Sequence, residues 1–147
     1  MLAVPAVSKS NKGLEKYRIL PENIYNSDLE QAQRIPIDYF KDEKFILLKK
    51  GNNMYKHAME VMKKSGFTPE VAYRLDQLIT SYALAASNNG VCFVTDTIFR
   101  YHRFGDDVYL YNIEGCTGRT MHIAKKRNRY ATNAMQKFIE IARENIK

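Results

Sequence analysis

The chain has 147 residues, of which 45% are hydrophobic and 27% are charged, and its formal net charge is +7. This length fits one domain with a buried core, and it also fits a piece of a larger protein. No apolar run approaches the roughly twenty residues of a membrane span, and the first residues are too few and lack the basic flank of a signal peptide. We therefore expect a cytoplasmic protein without a membrane segment.

The first part of the chain predicts little regular structure. Residues 2–5 predict the end of a strand, because Pro5 keeps the preceding residue extended and has no N–H for a ladder. Residues 8–13 are polar and turn-rich, and residues 15–26 have no sustained period, so both predict irregular segments. Residues 27–30 have the form of a capping box, which predicts a short helix that ends at Ile35 and Pro36.

The rest of the chain is organised around residues 45–97, which predict a strand, a helix, a strand, a helix and a strand. The strands are residues 45–48, 71–75 and 91–95, and the helices are residues 52–65 and 76–88. The first helix has apolar residues at the three-and-four spacing and ends at Gly66, and Asp76 is positioned to cap the second helix. Crossovers of this length imply parallel strands with right-handed connections, so we predict an α/β unit with helices packed on a sheet.

The last third of the chain predicts shorter elements and a final helix. Residues 96–101 predict a short helix or turn, residues 108–113 a strand, and residues 119–125 a half-buried strand with alternating apolar positions. Thr132 is expected to cap the last helix. Its apolar stripe is formed by Met135, Phe138, Ile139, Ala142 and Ile146.

The carboxyl ends of the parallel strands are where open α/β sheets bind ligands. The residues at these ends are Lys49, Gly51, Asn52 and Asn53 after the first strand, Asp76 and Gln77 after the second, and Thr95 and Asp96 after the third. Gly51 permits close backbone approach, and the N–H groups and dipole of a helix start suit a carboxylate or another small anion. The alternative, which spacing alone favours, is that Asn53 and Asp76 only cap helices.

The sequence contains no recognisable catalytic or metal-binding constellation. It lacks a phosphate-binding glycine loop, a nucleophile elbow and paired His or Cys ligands, so we predict neither an enzyme nor a cofactor or metal site. The three histidines share no motif, and Cys92 fits a small core residue of an apolar strand better than a nucleophile. With Cys116 in a loop, the two cysteines do not indicate a disulfide.

The net positive charge raises the question of nucleic-acid binding. Lysine and arginine occur in short clusters at residues 49–50, 63–64 and 125–129, near the ends of elements. Because no groove-reading helix is recognisable, we interpret these clusters as solvated surface. The alternative is a basic patch, whose binding would weaken as salt rises.

Several segments together resemble the effector-binding domain of LysR-type transcriptional regulators. They are Phe-Ile-Leu-Leu-Lys-Lys-Gly at residues 45–51, Ser-Gly-Phe-Thr-Pro at 65–69, Leu-Asp-Gln-Leu at 75–78 and Asn-Gly-Val-Cys-Phe-Val-Thr-Asp at 89–96. Their order and spacing carry the likeness, and residues 130–142 resemble the last helix of the family. The winged helix-turn-helix, the linker helix and the first half of subdomain I have no counterpart in this sequence, so we expect a fragment of such a regulator.

The resemblance implies a periplasmic-binding-protein-like (type 2) α/β fold, with a three-layer subdomain, a largely parallel sheet, two hinge strands and a partial second subdomain. Residues 1–107 would hold the first hinge strand and subdomain II, and residues 108–147 the return hinge strand and the C-terminal part of subdomain I. The return hinge strand, residues 108–113, would run antiparallel to the first hinge strand at residues 2–5. Subdomain I would then lack partners for its apolar faces, so we expect a homo-oligomer.

The function that the resemblance implies is sensing of a small-molecule effector, and the helix start among the candidate residues favours an anionic one. The candidate ligand residues would form the subdomain II wall of the effector cleft, and DNA would be bound only through a winged helix-turn-helix domain. The alternative is a free-standing solute-binding protein or small enzyme of the same architecture, because fold alone does not fix function.

Overall fold

The computed structural model describes residues 1–20, 23–24, 29, 32–101, 105–118, 122–127 and 130–145. The chain divides into two compact units, Met1–Cys116 and Thr117–Lys147. The sheet and all of the candidate ligand residues belong to the first unit. The subdomain boundary between residues 107 and 108, which the resemblance implies, stays a prediction.

Within the described residues the first unit contains one sheet of six strands in the order β2-β6-β1-β5-β3-β4. The strands are β1 Leu2–Pro5, β2 Arg34–Ile35, β3 Lys44–Leu48, β4 Glu70–Leu75, β5 Val91–Phe93 and β6 Val108–Ile113. β3 is parallel to β4 and β5, β2 is parallel to β6, and β1 is antiparallel to both of its neighbours. The predicted parallel central strands and the antiparallel pairing of residues 2–5 with 108–113 are therefore confirmed.

Among the described residues, the first unit also contains the α-helices α1 Asn53–Lys64, α2 Leu78–Ala86 and α3 Asp96–Tyr101, together with the 3-10 helices Lys9–Asn11, Glu15–Tyr17 and Ile37–Phe40. α1 and α2 follow β3 and β4, as the apolar periodicity predicts. In the part of the chain that the structure describes, no helix is long and apolar enough to cross a membrane.

The core lies on both faces of the sheet because successive side chains of a strand point to opposite sides. On β3, Phe45 and Leu47 pack in one cluster with Val61 and Met62 of α1. Ile46 packs in the other cluster with buried residues of α2 and α3. Helices on both faces of a sheet make three layers, as predicted.

The amino edge of the sheet is where β3, β5 and β6 begin. Side-chain hydrogen bonds and a close contact between Gly90 and the backbone fill the space at this edge. Asn11 is 4% exposed and accepts a hydrogen bond of 2.8 Å from the Tyr111 hydroxyl, while its amide donates to the Pro5 carbonyl at 2.7 Å. Glu43 accepts hydrogen bonds from Ser8 and Ser10. At Gly90, a Cβ atom would stand 2.4 Å from the Lys44 carbonyl oxygen. This edge leaves no room for a ligand next to Gly90.

The second unit contains the helix α4, Asn133–Asn145. The Thr132 hydroxyl accepts a hydrogen bond of 3.2 Å from the Met135 N–H, which confirms the predicted cap. The predicted strand at residues 119–125 is wrong for residues 122–125, which lie outside any strand, and residues 119–121 fall outside the described residues. A strand needs a neighbour for its N–H and C=O groups, and the described residues of this unit offer none.

Two further predictions concern residues that the structure does not fully describe. The capping box at residues 27–30 lies outside the described residues, apart from Leu29. Residues 34–35, where the predicted helix would end, instead form β2. The apolar stripe of α4 is exposed at Met135 (44%) and Phe138 (65%), and Ile146 lies outside the described residues.

Candidate functional site

The candidate residues follow three neighbouring strands, in the order β5, β3 and β4, at the carboxyl edge of the sheet. Because these strands are parallel, their ends meet at this edge. The loop after β3 holds Lys49, Gly51 and Asn52, the loop after β4 holds Asp76 and Gln77, and Thr95 and Asp96 follow β5. The sheet therefore gathers the predicted residues at one edge, as the topology requires.

Lys49 and Asp76 are in direct contact. The Lys49 ammonium is 2.7 Å from an Asp76 carboxylate oxygen, and the Lys49 N–H donates to the Leu75 carbonyl at 2.9 Å. The two side chains are 60% and 72% exposed, so water screens the pair. An exposed ion pair stabilises a fold by less than about 1 kcal/mol, and an incoming anion can therefore compete with Asp76 for Lys49.

Asn52 caps the start of α1. Its side-chain oxygen accepts a hydrogen bond of 2.8 Å from the Met54 N–H, and Gly51 just before it has a φ of +100°. The first turn of a helix has N–H groups without intrahelical acceptors, and the cap uses one of them. In the part of the chain that the structure describes, the N–H groups of Asn53 and Tyr55 have no acceptor, and they lie beside the positive end of the helix dipole, an arrangement that favours a small anion.

The prediction that Asp76 or Asn53 acts as a helix cap is wrong. Gln77 occupies the N-cap position of α2 and makes no side-chain capping bond, because Asp76 turns instead to Lys49. Asn53 is the first residue of α1, one position after the cap. Asp76 therefore sets the charge around Lys49 and does not help α2 to start.

Thr95 and Asp96 lie at the same edge, after β5. The Thr95 and Thr97 hydroxyls are 2.6 Å apart, and Asp96 is the half-buried first residue of α3. The segment is held in place because Val94 exchanges two backbone hydrogen bonds with Met1, of 2.9 and 3.1 Å, which prolong the β1–β5 pairing. The structure thus places Thr95 and Asp96 beside the β3 loop without a recorded contact to Lys49.

The sequence did not single out some residues at this edge. Ser81 is 1% exposed and donates a hydrogen bond of 3.2 Å to the Gln77 carbonyl, next to a cavity of about 10 Å³ that Met54, Tyr55 and Phe93 also line. This volume is at the lower limit for one water molecule, so the cavity is too small for an organic ligand. Arg34, the first residue of β2, pairs with Asn112 near the carboxyl end of β6, is exposed and donates to the Cys116 carbonyl at 2.8 Å. Neither residue carries a sequence signal beyond its polarity.

The cysteines are unsuited to nucleophilic chemistry. Cys92 is completely buried, and burial raises the pKa of its thiol to about 12. Burial also raises the pKa of Cys116. A thiolate is the reactive form of cysteine, so both groups are inert at neutral pH. Among the described residues, no group of three or more His, Cys, Asp or Glu side chains is placed to hold a metal ion.

Comparison with known proteins identifies the family. Residues 24–147 match the model of the LysR substrate-binding domain. An uncharacterized HTH-type transcriptional regulator, YcgK of Bacillus subtilis (strain 168), is 29% identical over 140 residues. The match covers 90% of this chain and 43% of YcgK. The chain therefore spans less than half the length of this relative.

Solved structures of BenM share the fold. Full-length BenM matches with a TM-score of 0.54 and 16% identity over 77% of this chain and 32% of BenM. The effector-binding domain of a BenM variant matches with a TM-score of 0.53 and 18% identity over 78% of this chain and 45% of that domain. These matches confirm the periplasmic-binding-protein-like (type 2) α/β fold. On the match over residues 24–147, the chain belongs to the LysR substrate-binding domain family.

Proposed function

We propose that this effector-binding domain senses a small anionic molecule at the carboxyl edge of its sheet. The observation that carries the proposal is the exposed Lys49 ammonium in the loop that leads into the capped start of α1. A full positive charge and free N–H groups on the same loop provide both attraction and directional hydrogen bonds for a carboxylate or phosphate oxygen. Thr95 and Asp96 would complete this wall of the cleft from β5.

The sensing step would be a change in the angle between two subdomains, with residues 1–107 and 108–147 contributing to different lobes. β1 and β6 would act as the hinge, because they pair over four residues, from Leu2 with Tyr111 to Pro5 with Val108. A ligand that binds better to one angle shifts the population towards it. The domain would thus pass on effector binding by a shift of a pre-existing equilibrium and not by catalysis.

The partners of the whole regulator follow from its relatives. YcgK is named as an HTH-type regulator, and this chain matches 43% of it. We propose that a winged helix-turn-helix domain supplies sequence-specific DNA recognition, and that the protein works in the bacterial cytoplasm, where the DNA is.

Self-association is the proposed assembly. The α4 side chains Met135, Phe138 and Ile141 are 44%, 65% and 49% exposed, and apolar surface of this kind favours association. Sedimentation of the chain is expected to show a dimer or larger species. A monomer over a wide range of concentrations would contradict this assembly.

The site is tested by an NMR titration of the chain with sulfate, phosphate and acetate. We expect shifts concentrated at Lys49, residues 51–53 and Thr95, at millimolar affinity, which corresponds to about −4 kcal/mol. The Asn52→Ala variant should respond more weakly and lose about 1 kcal/mol of unfolding free energy with the cap. Asn53→Ala is the matched control for the cap, because it keeps the backbone N–H of residue 53 and the Asn53 side chain makes no hydrogen bond in the described part of the chain. Shifts spread evenly over the basic surface would show that the site lies elsewhere.

A further inference from the structure

The positive charge of the chain is concentrated in its second unit. Residues 117–147 contain eight Lys and Arg against two Glu, whereas residues 1–116 contain fifteen Lys and Arg against fourteen Asp and Glu. The first unit thus carries a net charge of +1 and the second, with 31 residues, a net charge of +6. The interpretation of basic clusters as solvated surface suits the first unit, where charges nearly cancel, but does not account for the second.

Three of the second unit's cations are adjacent in a fully exposed segment. Lys125, Lys126 and Arg127 end the described stretch 122–127, whose residues are all exposed and outside helices and strands. Of the unit's two carboxylates, Glu140 is paired with Lys137 at 2.9 Å. In the described part of the chain no carboxylate lies within ion-pair distance of the three cations. Their charge is therefore available to an external polyanion.

We propose that Lys125, Lys126 and Arg127 contact the phosphates of double-stranded DNA without reading its sequence. DNA carries about one negative charge per 1.7 Å of its axis, so neighbouring phosphates can each meet one of three adjacent cations. An anionic membrane is the less suitable partner, because each cation gains only about 1 kcal/mol near such a surface. The choice of DNA also rests on membership of a regulator family, whereas the charge distribution stands without it.

Salt dependence gives the proposal a quantitative signature. Three phosphate contacts predict a slope of about −2.7 for the logarithm of the binding constant against the logarithm of salt concentration. Binding should therefore weaken roughly 40-fold for a fourfold rise in salt.

The test measures binding of the whole 147-residue chain to a short duplex of arbitrary sequence by fluorescence anisotropy at several low salt concentrations. The variant K125Q/K126Q/R127Q removes three charges from the segment. The matched control K56Q/K63Q/K64Q removes three exposed charges from α1 and leaves the same net charge. Circular dichroism is used to check that both variants are folded.

We expect the segment variant to bind at least tenfold more weakly at the lowest salt and to reduce the magnitude of the slope by about 2 to 3, with less than a twofold change in the control. Equal weakening of both variants, or no weakening of either, would overturn the proposal. So would binding to vesicles that contain phosphatidylglycerol with no binding to the duplex. None of these outcomes changes the result expected from the sulfate titration, so the DNA contact and the effector site are tested independently of each other.

Discussion

The two ends of the β3–β4 pair carry the same kind of ion pair in different surroundings. At the amino edge the Lys44 ammonium is 3.4 Å from Glu70, and at the carboxyl edge the Lys49 ammonium is 2.7 Å from Asp76. All four side chains are more than half exposed. Near Lys44, Gly90 packs against the backbone carbonyl of Lys44 and leaves no space. Near Lys49, Gly51 has open space around it and the helix α1 begins two residues later.

The two ion pairs are similar in exposure, so their function depends on the groups that surround them. Neither pair contributes much stability, because water screens both. What differs is what an incoming anion would find beside the lysine. At the carboxyl edge the lysine's loop leads to the helix N–H groups of Asn53 and Tyr55, whereas at the amino edge Gly90 packs closely against the Lys44 carbonyl oxygen. We therefore expect the amino-edge contacts to contribute to stability, and we propose ligand binding only for the carboxyl edge.

The largest expected effect comes from adding one methyl group at each edge. Gly90→Ala should lower the unfolding free energy by about 3 kcal/mol or more, because its Cβ would stand 2.4 Å from the Lys44 carbonyl oxygen at a φ of +135°. Gly51→Ala should cost only about 1 to 2 kcal/mol, because φ is positive there but the space is open. Chemical denaturation of both variants measures the difference, and equal losses would contradict the contrast between the edges.

A smaller effect is expected from the buried hydrogen bond at the amino edge. Asn11→Ala leaves the buried Tyr111 hydroxyl without its acceptor and should cost about 2 kcal/mol. Tyr111→Phe in the same background removes the stranded hydroxyl, so the double variant should lose less than the sum of the two single variants. The measurement is again the unfolding free energy. If the losses of unfolding free energy in the two single variants simply add in the double variant, the hydrogen bond between Asn11 and Tyr111 does not stabilise the amino edge.

The sequence predicted the central part of this fold because local patterns determine it. Apolar periodicity located β3, α1, β4, α2 and β5, and the lengths of the crossovers predicted parallel pairing. The alternation of apolar and polar residues at 119–125 predicted a strand, and this was wrong for residues 122–125. Alternation shows which side chains would share a face of a strand, but it does not show whether a neighbouring strand is present to pair with it.

The sequence was less informative about the site. It predicted which loops meet at the carboxyl edge, since topology alone decides that. It could not predict that Asp76 turns to Lys49, because the partner lies 27 residues earlier and the choice between capping and pairing depends on three-dimensional distance. In the same way Asn11 belongs to a polar, turn-rich segment, and its burial against Tyr111, 100 residues away, leaves no local signal.

The smallest expected stability effect is that of the two lysines. Lys44→Gln and Lys49→Gln should each change the unfolding free energy by less than about 1 kcal/mol, because both pairs are exposed. Thermal or chemical denaturation of the two variants side by side checks this. A large loss from Lys49→Gln alone would give Lys49 a structural role and weaken its assignment to a ligand site.

The most direct test of the account is phosphate binding by Lys49→Gln, Asp76→Asn and Lys44→Gln, measured by NMR at constant ionic strength. Lys49→Gln should weaken binding about threefold or more, since it removes the attracting charge. Asp76→Asn should strengthen binding, because it removes the carboxylate that competes for Lys49. Lys44→Gln should leave the affinity unchanged. Equal weakening by Lys44→Gln and Lys49→Gln, or weaker binding by Asp76→Asn, would contradict an anion site at the carboxyl edge.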